Sequence, residues 1–277
     1  MEPFLLAFFL SLLAGLSTTV GSFIAFVMKK PSPKFISFIM GFSAGIMILI
    51  SFAELLQQSI STYGIFMGFV FFFIGMLIML VIDVFVSHKY EFEDSIEVFV
   101  TENGKCEPHL HRGHLGRQKY RGEIKNIKLA KTSLFIFLGV FIHNFPEGMV
   151  TFIGAVKDIE LGLLLTLAIA LHNIPEGIAV AVPLYACTGD KKKAFLWSFL
   201  SGISEPIGAL ITGFILFPFI NDALLGALLG VVGGIMVYIS LDELLPVSKA
   251  LGKEHISILG IISGMLIMAL SLSLFNL

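Results

Sequence analysis

Residues 41–59 read GFSAGIMILISFAELLQQS, and residues 230–248 read GVVGGIMVYISLDELLPVS. Ten of these nineteen positions are identical at an offset of 189 residues. The same offset relates the segment GMLIM at 75–79 to an identical segment at 264–268. The shared offset predicts that the chain contains an internal repeat, whose two copies enclose a central segment.

The composition around these segments is that of a membrane protein. Hydrophobic residues make up 56% of the 277 residues and charged residues 14%, whereas a soluble domain has about 25% charged residues. A bilayer core needs roughly 20 apolar residues per helix. Eight stretches meet this requirement: 4–28, 35–58, 64–87, 132–156, 161–185, 194–217, 223–248 and 256–277. We therefore predict an all-α integral membrane protein with eight transmembrane helices, forming one polytopic domain over residues 1–277.

The basic residues give an independent test of the number of spans. With eight spans, alternate loops lie on the same side, and 17 of the 18 Lys and Arg residues fall on one of the two sides. Only Lys157 falls on the other side. Because cytoplasmic loops carry the excess of Lys and Arg, we predict that loop 88–131 is cytoplasmic and that both termini are extracytoplasmic. The protein is then a multi-pass cell membrane protein.

The direction of the repeats predicts the class of membrane protein. The first and sixth spans also match, LAGLSTTVG at 13–21 against LSGISEPIG at 200–208, so spans 1–3 recur as spans 6–8. Each span lies five spans from its copy, and five is odd, so the copies cross the membrane in opposite directions. The central spans contain HNFPEG at 143–148 and HNIPEG at 172–177. Inverted repeats around a pseudo-two-fold axis, with a polar site at the midplane, are typical of secondary transporters.

The ionisable residues inside the spans are acids and histidines, without a basic partner. They are Glu54, Asp83, His143, Glu147, His172, Glu176, Glu205, Asp242 and Glu243. Intramembrane carboxylates are costly unless they are paired, and they mark functional pathways. No Lys or Arg lies in a span interior, so these acids are neutralised either by protons or by a bound metal.

The spacing of the two central motifs favours a metal. His143 and Glu147 are four residues apart, and Asn144 and Glu147 are three apart, so Glu147 lies on two neighbouring stripes of its helix. The second motif repeats this arrangement with His172, Asn173 and Glu176. Glu205 lies at similar depth in the sixth span. Imidazole, carboxylate and amide ligands suit Zn, Fe or Mn. Each motif glutamate has a histidine on one side of it and an asparagine on the other, so the two glutamates could each contact two ions, which predicts a binuclear site. The alternative is that these groups only hydrogen-bond within the core.

The motifs HNFPEG, HNIPEG and SGISEPIGA resemble those of the ZIP (Zrt/Irt-like) divalent metal transporter family, and in particular its bacterial zinc-transporter branch. The resemblance covers essentially the whole chain. It implies a 3+2+3 inverted-repeat bundle, with spans 4 and 5 as a central antiparallel pair, and uptake of zinc and related divalent metals (Fe, Mn, Co, Cd) into the cytoplasm. No organic cofactor is expected.

The resemblance also implies which residues hold the metals. The first metal would be held by His143, Glu147, His172 and Glu176. The second would be held by Asn144, Glu147, Asn173, Glu176 and Glu205. Met47 matches a family position that adds a thioether ligand; the alternative is that it only fills the core.

Other acids near the span ends suggest a route for the ion. Glu54 and Glu243 occupy equivalent repeat positions, and Asp242 precedes Glu243. We expect Glu54 to collect ions outside, and Asp242 and Glu243 to release them inside; the alternative is that all three are interfacial caps. Asp83 is expected to be a solvated residue at the end of its span.

Loop 88–131 contains a cysteine and three histidines at close spacing. The spacing C-x2-H-x-H-x2-H is either a metal site or part of a flexible linker. It comprises Cys106, His109, His111 and His114. The expected partners are the lipid bilayer and divalent metal ions, with no nucleic acid, and Gly- and Ala-rich helix faces are compatible with a homodimer.

Two other classes of protein compete with a transporter. An intramembrane metalloenzyme lacks the H-E-x-x-H signature of zinc proteases. The sequence GFSAG at 41–45 matches a serine-hydrolase motif by letters only, because it lies inside a span. A cation or proton channel differs from a transporter in its turnover rate and in the saturation of uptake.

Overall fold

The computed structural model describes residues 2–27, 32–86, 140–188, 190–216, 219, 221–251 and 254–275. The loop predicted at 88–131, with its four candidate metal ligands Cys106, His109, His111 and His114, lies outside the described residues. Within them the chain is helical and contains no strand. The predicted all-α class is therefore confirmed for the part of the chain that the structure describes.

The helices are labelled in chain order. They are α1 (Glu2–Val27), α2 (Pro33–Ile50), α3 (Leu56–Val86), α4 (residues 140–157), α5 (Ile159–Thr188), α6 (Lys191–Ile211), α7 (Asp222–Ile239) and α8 (Glu254–Phe275). Single π-helical turns, Ser51–Leu55, Thr212–Leu216 and Ser240–Leu244, continue α2, α6 and α7. The short helix Leu245–Leu251 follows the last of these turns.

Apart from α4, the labelled helices lie in segments that are long and apolar enough to cross a membrane. Six candidate spans are found in the described residues: Pro3–Val27, Pro33–Val84, Ile159–Val182, Lys191–Ile215, Asp222–Lys249 and Glu254–Leu274. Large apolar side chains such as Phe66, Phe214 and Leu274 lie on the outer surface, as expected for contact with lipid. The chain is therefore an integral membrane protein built from helices.

Gly64 divides the longest of these spans. Pro33–Val84 contains 52 residues, which as one straight helix would be about 78 Å long, more than twice the bilayer core. At Gly64 the backbone has φ 79° and ψ 166°, a conformation that a residue with a Cβ rarely adopts. The predicted connection between spans 35–58 and 64–87 is thus shorter than expected, because the helix continues up to Gly64.

The starts of three helices are set by N-cap residues. Ser32, Asp190 and Asn221 precede α2, α6 and α7, and each side-chain oxygen accepts a hydrogen bond from a backbone N–H two or three residues on, over 2.8–3.2 Å. Such caps satisfy N–H groups that a helix start leaves without a partner. These helices accordingly begin one to three residues before the predicted spans.

The π-helical turns coincide with hydroxyl side chains that bond to the helix backbone. Ser51, Thr212 and Ser240 each begin such a turn, and each donates its hydroxyl to the carbonyl four residues earlier, over 2.6–2.8 Å. This bond competes with the regular ladder of the helix. The turns at Ser51 and Ser240 are repeat copies and carry Glu54 and Glu243, in keeping with the frequent occurrence of π-helical turns at functional sites.

The helices α1 and α6 cross at a pair of glycines. A Cβ added to Gly15 would meet the carbonyl oxygen of Gly202, and a Cβ added to Gly202 would meet the carbonyl oxygen of Gly15. The two residues are copies of each other at the offset of 187. Small residues allow this close approach of membrane helices. The contact joins equivalent positions of the first and second repeats.

Other helix contacts recur in the same paired way. Gly45 of α2 faces the carbonyl of Ile261 in α8, and Gly234 of α7 faces the carbonyl of Phe72 in α3. Both residues of the first contact are related to those of the second by the offset of 189. The offset of 189 also relates Gly75–Val231 to Gly264–Phe42. A further pair, Gly148–Glu205 and Gly177–Thr18, is related by the 29-residue offset of the central motifs and the offset of 187 between α1 and α6. The repeat seen in the sequence is therefore matched by a repeat in the helix contacts.

We expect Gly202→Ala to destabilise the protein by about 1–3 kcal/mol, the range for overpacking a core, because the added methyl group would meet the backbone of α1. Gly154→Ala is the matched control, since its methyl group would meet the end of the Leu165 side chain, which can move away. Thermal unfolding in detergent measures both. Equal melting temperatures for the two variants would contradict this account of the crossing.

Candidate metal centre

The helices α4 and α5 carry the two central motifs into the middle of the bundle. Both remain helical through Pro146 and Pro175, and α5 packs against α1, α2 and α6. The residues of the predicted centre are all at most 2% exposed: His143, Asn144, Glu147, His172, Asn173, Glu176 and Glu205. The residues that the sequence predicts as metal ligands on α4, α5 and α6 are therefore all buried.

Each motif is bonded to the other through a histidine and a glutamate. His143 Nε2 lies 3.1 Å from Glu176 Oε2, and His172 Nε2 lies 3.0 Å from Glu147 Oε1. The two contacts are equivalent under the 29-residue offset of the motifs. The two contacts bring the glutamates and histidines of α4 and α5 together between these helices.

Three of these groups have the spacing of a candidate metal site. One ligand atom from each of Glu147, His172 and Glu176 lies within 4.8 Å of the other two. Two ligands that bind one zinc ion at roughly 2 Å are at most about 4 Å apart. A small contraction would therefore bring the three groups into the spacing that a shared ion requires.

Glu205 joins the centre from α6 through an amide. Asn173 Nδ2 donates a short hydrogen bond to Glu205 Oε1, and it also donates to the carbonyl of Ala14 at 3.0 Å. The amide nitrogen is thus occupied on two sides. Asn173 Oδ1 and Glu205 Oε2 accept no hydrogen bond from the described residues, so both oxygens remain available to a ligand.

Asn144 holds the equivalent position in the first motif. With Nδ2 facing Val140 O at 3.1 Å, the same nitrogen lies 3.0 Å from His143 Nε2 and 3.3 Å from Glu176 Oε2. In the opposite orientation Nδ2 faces the carbonyl of Ser201 at 3.4 Å. The second orientation turns the amide oxygen towards the histidine and the glutamate, which is the orientation that binding of a cation favours.

The centre contains buried polar atoms that the described residues leave without a hydrogen-bond partner. Six such atoms are buried without a hydrogen-bond partner among the described residues: Glu147 Oε2, Asn173 Oδ1, Glu176 Oε1, Glu205 Oε2, and Nδ1 of His143 and His172. A buried polar atom without a partner costs about 1–3 kcal/mol. In the described part of the chain, neither Lys nor Arg forms an ion pair with these acids. A cation bound between them would supply both the missing charge and the missing partner.

Met47 lies on a helix that touches the second motif. Ser43, one turn earlier in α2, donates its hydroxyl to the carbonyl of His172 at 3.3 Å. Met47 is fully buried and packs in the main apolar core. Its assignment as a metal ligand stays a prediction.

Glu54 belongs to a polar chain that the sequence did not reveal. Gln58 Nε2 donates to Glu54 Oε1 at 2.9 Å, and Lys157 Nζ donates to Gln58 Oε1 at 2.9 Å. The four-residue spacing of Glu54 and Gln58 was an available signal for the first bond. The second bond joins distant parts of the chain, so no local pattern indicates it.

One of the acids expected to release the ion, Glu243, lies close to the centre. Glu243 Oε2 is 3.8 Å from His143 Nδ1. Asp83 is 6% exposed, and Tyr238 OH donates to its Oδ2 at 3.0 Å. The expectation of a solvated Asp83 is therefore wrong, because the residue is buried and its carboxylate accepts a hydrogen bond from Tyr238 of α7. Asp242, next to Glu243, lies in the same π-helical turn.

Helices long and apolar enough to cross a membrane, packed around a buried cluster of acids, amides and imidazoles, define a helical integral membrane protein. The spacing of its buried His and Glu side chains is compatible with a metal site. The model of the family described as "ZIP Zinc transporter" matches residues 3–272. The chain belongs to the ZIP zinc transporter family, a family of transporters and not of enzymes.

Curated relatives match over nearly their full length. The zinc transporter ZupT of Clostridium perfringens is 47% identical over 283 residues, covering 99% of this chain and 98% of the relative. The proteins of the same name from Campylobacter jejuni and Oceanobacillus iheyensis are 45% and 44% identical, with 99% of this chain covered and 98% and 99% of the relatives.

Proposed function

We propose that this protein is a secondary transporter that carries zinc into the cytoplasm through the buried centre of α4, α5 and α6. The observation that carries the proposal is the set of buried polar atoms without a hydrogen-bond partner in the described residues, on side chains at most 2% exposed, with no Lys or Arg paired to them there. The names of the relatives, all zinc transporters, support the choice of metal.

The proposed binding is binuclear. The first zinc ion is held by His143, Glu147, His172 and Glu176. The second is held by Asn144, Glu147, Asn173, Glu176 and Glu205. The two glutamates of the motifs are shared, so each bridges two ions, and Met47 adds a thioether to the set. The three atoms within 4.8 Å of one another support the first position, and the bond between Asn173 and Glu205 supports the second.

The proposed architecture is one domain of eight transmembrane helices in a 3+2+3 inverted-repeat bundle, with loop 88–131 between the third and fourth. Its support is the recurrence of helix contacts at the offsets of the sequence repeat. The break at Gly64 supports two crossings within Pro33–Val84. Alternating access then follows from movement of one repeat-related bundle against the other.

The proposed orientation places both termini outside and loop 88–131 in the cytoplasm. Glu54 receives ions outside, and Asp242 and Glu243 release them inside. The short distance between Glu243 and His143 supports the release step, and a membrane potential negative inside favours inward movement of a dication by about 4.6 kcal/mol per 100 mV. The loop residues Cys106, His109, His111 and His114 are a candidate second metal site, with a linker as the alternative.

The ligand set also accommodates related ions. Imidazole and carboxylate ligands suit Fe, Mn, Co and Cd as well as Zn, and we include these as competing substrates. The exposed apolar helix faces are compatible with a homodimer in the bilayer.

The test is zinc uptake by liposomes that contain the purified protein, with each of the other ions added in competition. We expect saturable uptake of zinc that Fe, Mn, Co and Cd inhibit to different extents, while Mg and Ca do not compete because hard cations prefer all-oxygen sites. Uptake that rises linearly with zinc concentration would indicate a channel and would contradict the proposal.

A further inference from the structure

The two halves of the centre differ at one position. Every ligand of α4 has a copy of the same type in α5: His143 with His172, Asn144 with Asn173, and Glu147 with Glu176. Glu205 of α6 does not follow this rule. At the offset of 187 its counterpart in α1 is Thr18, so a carboxylate on one side of the axis corresponds to a hydroxyl on the other.

Backbone contacts place Thr18 beside the second motif as they place Glu205 beside the first. A Cβ added to Gly177 would meet the carbonyl oxygen of Thr18, and one added to Gly148 would meet the carbonyl oxygen of Glu205. The Cβ of Thr18 lies 3.2 Å from the position that a Cβ on Gly202 would occupy. Thr18 therefore packs between α5 and α6 where these helices line the centre.

The hydroxyl of Thr18 is buried and has no hydrogen-bond partner in the part of the chain that the structure describes. The residue is 0% exposed, and its Oγ1 makes no hydrogen bond within the described residues. Threonine in a helix commonly donates to the carbonyl four residues earlier. Here that carbonyl, of Ala14, already accepts from Ser17 Oγ at 2.6 Å and from Asn173 Nδ2 at 3.0 Å. Thr18 thus keeps an unused hydroxyl next to the second motif, at the cost of an unpaired polar group.

We propose that Thr18 is a further ion-binding residue of the transport path, whose hydroxyl oxygen contacts the divalent cation as it leaves the centre on the side opposite Glu205. The proposal rests on the function proposed above. In the proposed orientation α1 runs inwards and α6 runs outwards, so Thr18 lies on the cytoplasmic side of the Gly15–Gly202 crossing and Glu205 on the outer side. A carboxylate on the outer side holds the dication firmly, whereas a neutral hydroxyl on the inner side holds it weakly. The difference favours release into the cytoplasm.

Three variants test the hydroxyl by zinc uptake into liposomes. Thr18→Val keeps the shape of the side chain and removes the hydroxyl, and we expect the maximal uptake rate to fall about fivefold, the effect of one neutral polar contact. Thr18→Ser keeps the hydroxyl and should transport at the wild-type rate. Ser11→Ala is the matched control, because Ser11 of the same helix is also fully buried with an unpartnered hydroxyl. It should leave uptake unchanged.

A fourth variant tests the sidedness. Thr18→Asp adds a carboxylate on the inner side, and we expect the purified variant to retain more zinc after gel filtration while its uptake rate falls about tenfold or more, because a charged ligand binds more strongly than a neutral one. Zinc retention is measured by atomic absorption, so it reports on binding even if uptake is lost.

The outcomes separate this inference from the proposed function. If the wild type takes up zinc and Thr18→Val does so at the same rate, or Thr18→Asp retains no more zinc than the wild type, the role of Thr18 is refuted and the proposed function stands. If Ser11→Ala slows uptake as much as Thr18→Val, the effect is one of packing and the role of Thr18 is also refuted. Absence of zinc uptake by the wild type refutes the proposed function itself.

Discussion

Replacement of Glu176 by alanine is expected to lower zinc uptake by about a hundredfold or more. Glu176 is fully buried, bonds to His143 at 3.1 Å, and is shared between both proposed metal positions. Breaking a buried charge pair by removing one partner costs about 3–5 kcal/mol, and every 1.4 kcal/mol corresponds to about tenfold in an equilibrium constant. The loss is measured as the initial rate of zinc uptake into liposomes, per amount of folded protein.

The matched control for this prediction is Glu160→Ala. Glu160 lies on the same helix, near its start, and is exposed, so its removal changes the charge by the same amount without touching the centre. We expect wild-type uptake for this variant. Zinc transport by Glu176→Ala at the rate of the control would show that the centre is misassigned.

Zinc is expected to stabilise the purified protein strongly. Binding to the folded state alone adds about 2.7 kcal/mol of stability when the free ion is present at a hundred times its dissociation constant. Several unpartnered buried acceptors would gain a partner at once, so we expect the melting temperature in detergent to rise by several degrees. The measurement is thermal unfolding with and without zinc, after removal of bound metal with a chelator.

The variant Glu147→Gln tests the origin of this stabilisation. Glutamine has nearly the same shape as glutamate but lacks the charge, and Glu147 contributes to both proposed positions. We expect most of the zinc-dependent shift to disappear, while magnesium shifts neither protein. An equal shift by zinc in the variant and in the wild type would place the bound ion elsewhere.

Much of this arrangement could be predicted from the sequence because its parts are local and repeated. The histidine and glutamate of each motif lie one helical turn apart, and repetition of the motif predicts that two such turns face each other. The contacts of His143 with Glu176 and of His172 with Glu147 agree with this expectation. Glu205 could be assigned to the centre because its position within the sixth span predicts the same depth in the bilayer as the two motifs.

Other features could not be predicted because they depend on contacts between distant helices. Asp83, which the sequence places near a span end, is buried and accepts a hydrogen bond from Tyr238 of another helix. Lys157 reaches Gln58 from a different helix. The π-helical turns begin at Ser51 and Ser240, whose hydroxyls bond to the carbonyl four residues earlier. The same bond is made by Thr151 and Thr166 in regular α-helix, so a hydroxyl residue within an apolar span does not by itself predict such a turn.

The central claim is that the acids and imidazoles of α4, α5 and α6 receive a divalent ion in place of internal counter-charges. The most direct test is X-ray diffraction from crystals of the zinc-loaded protein, with data collected on both sides of the zinc absorption edge. We predict an anomalous peak between Glu147, His172 and Glu176, within about 2.2 Å of a ligand atom from each. A crystal in which zinc binds only at other places, while this cluster stays closed around its own hydrogen bonds, would contradict the claim.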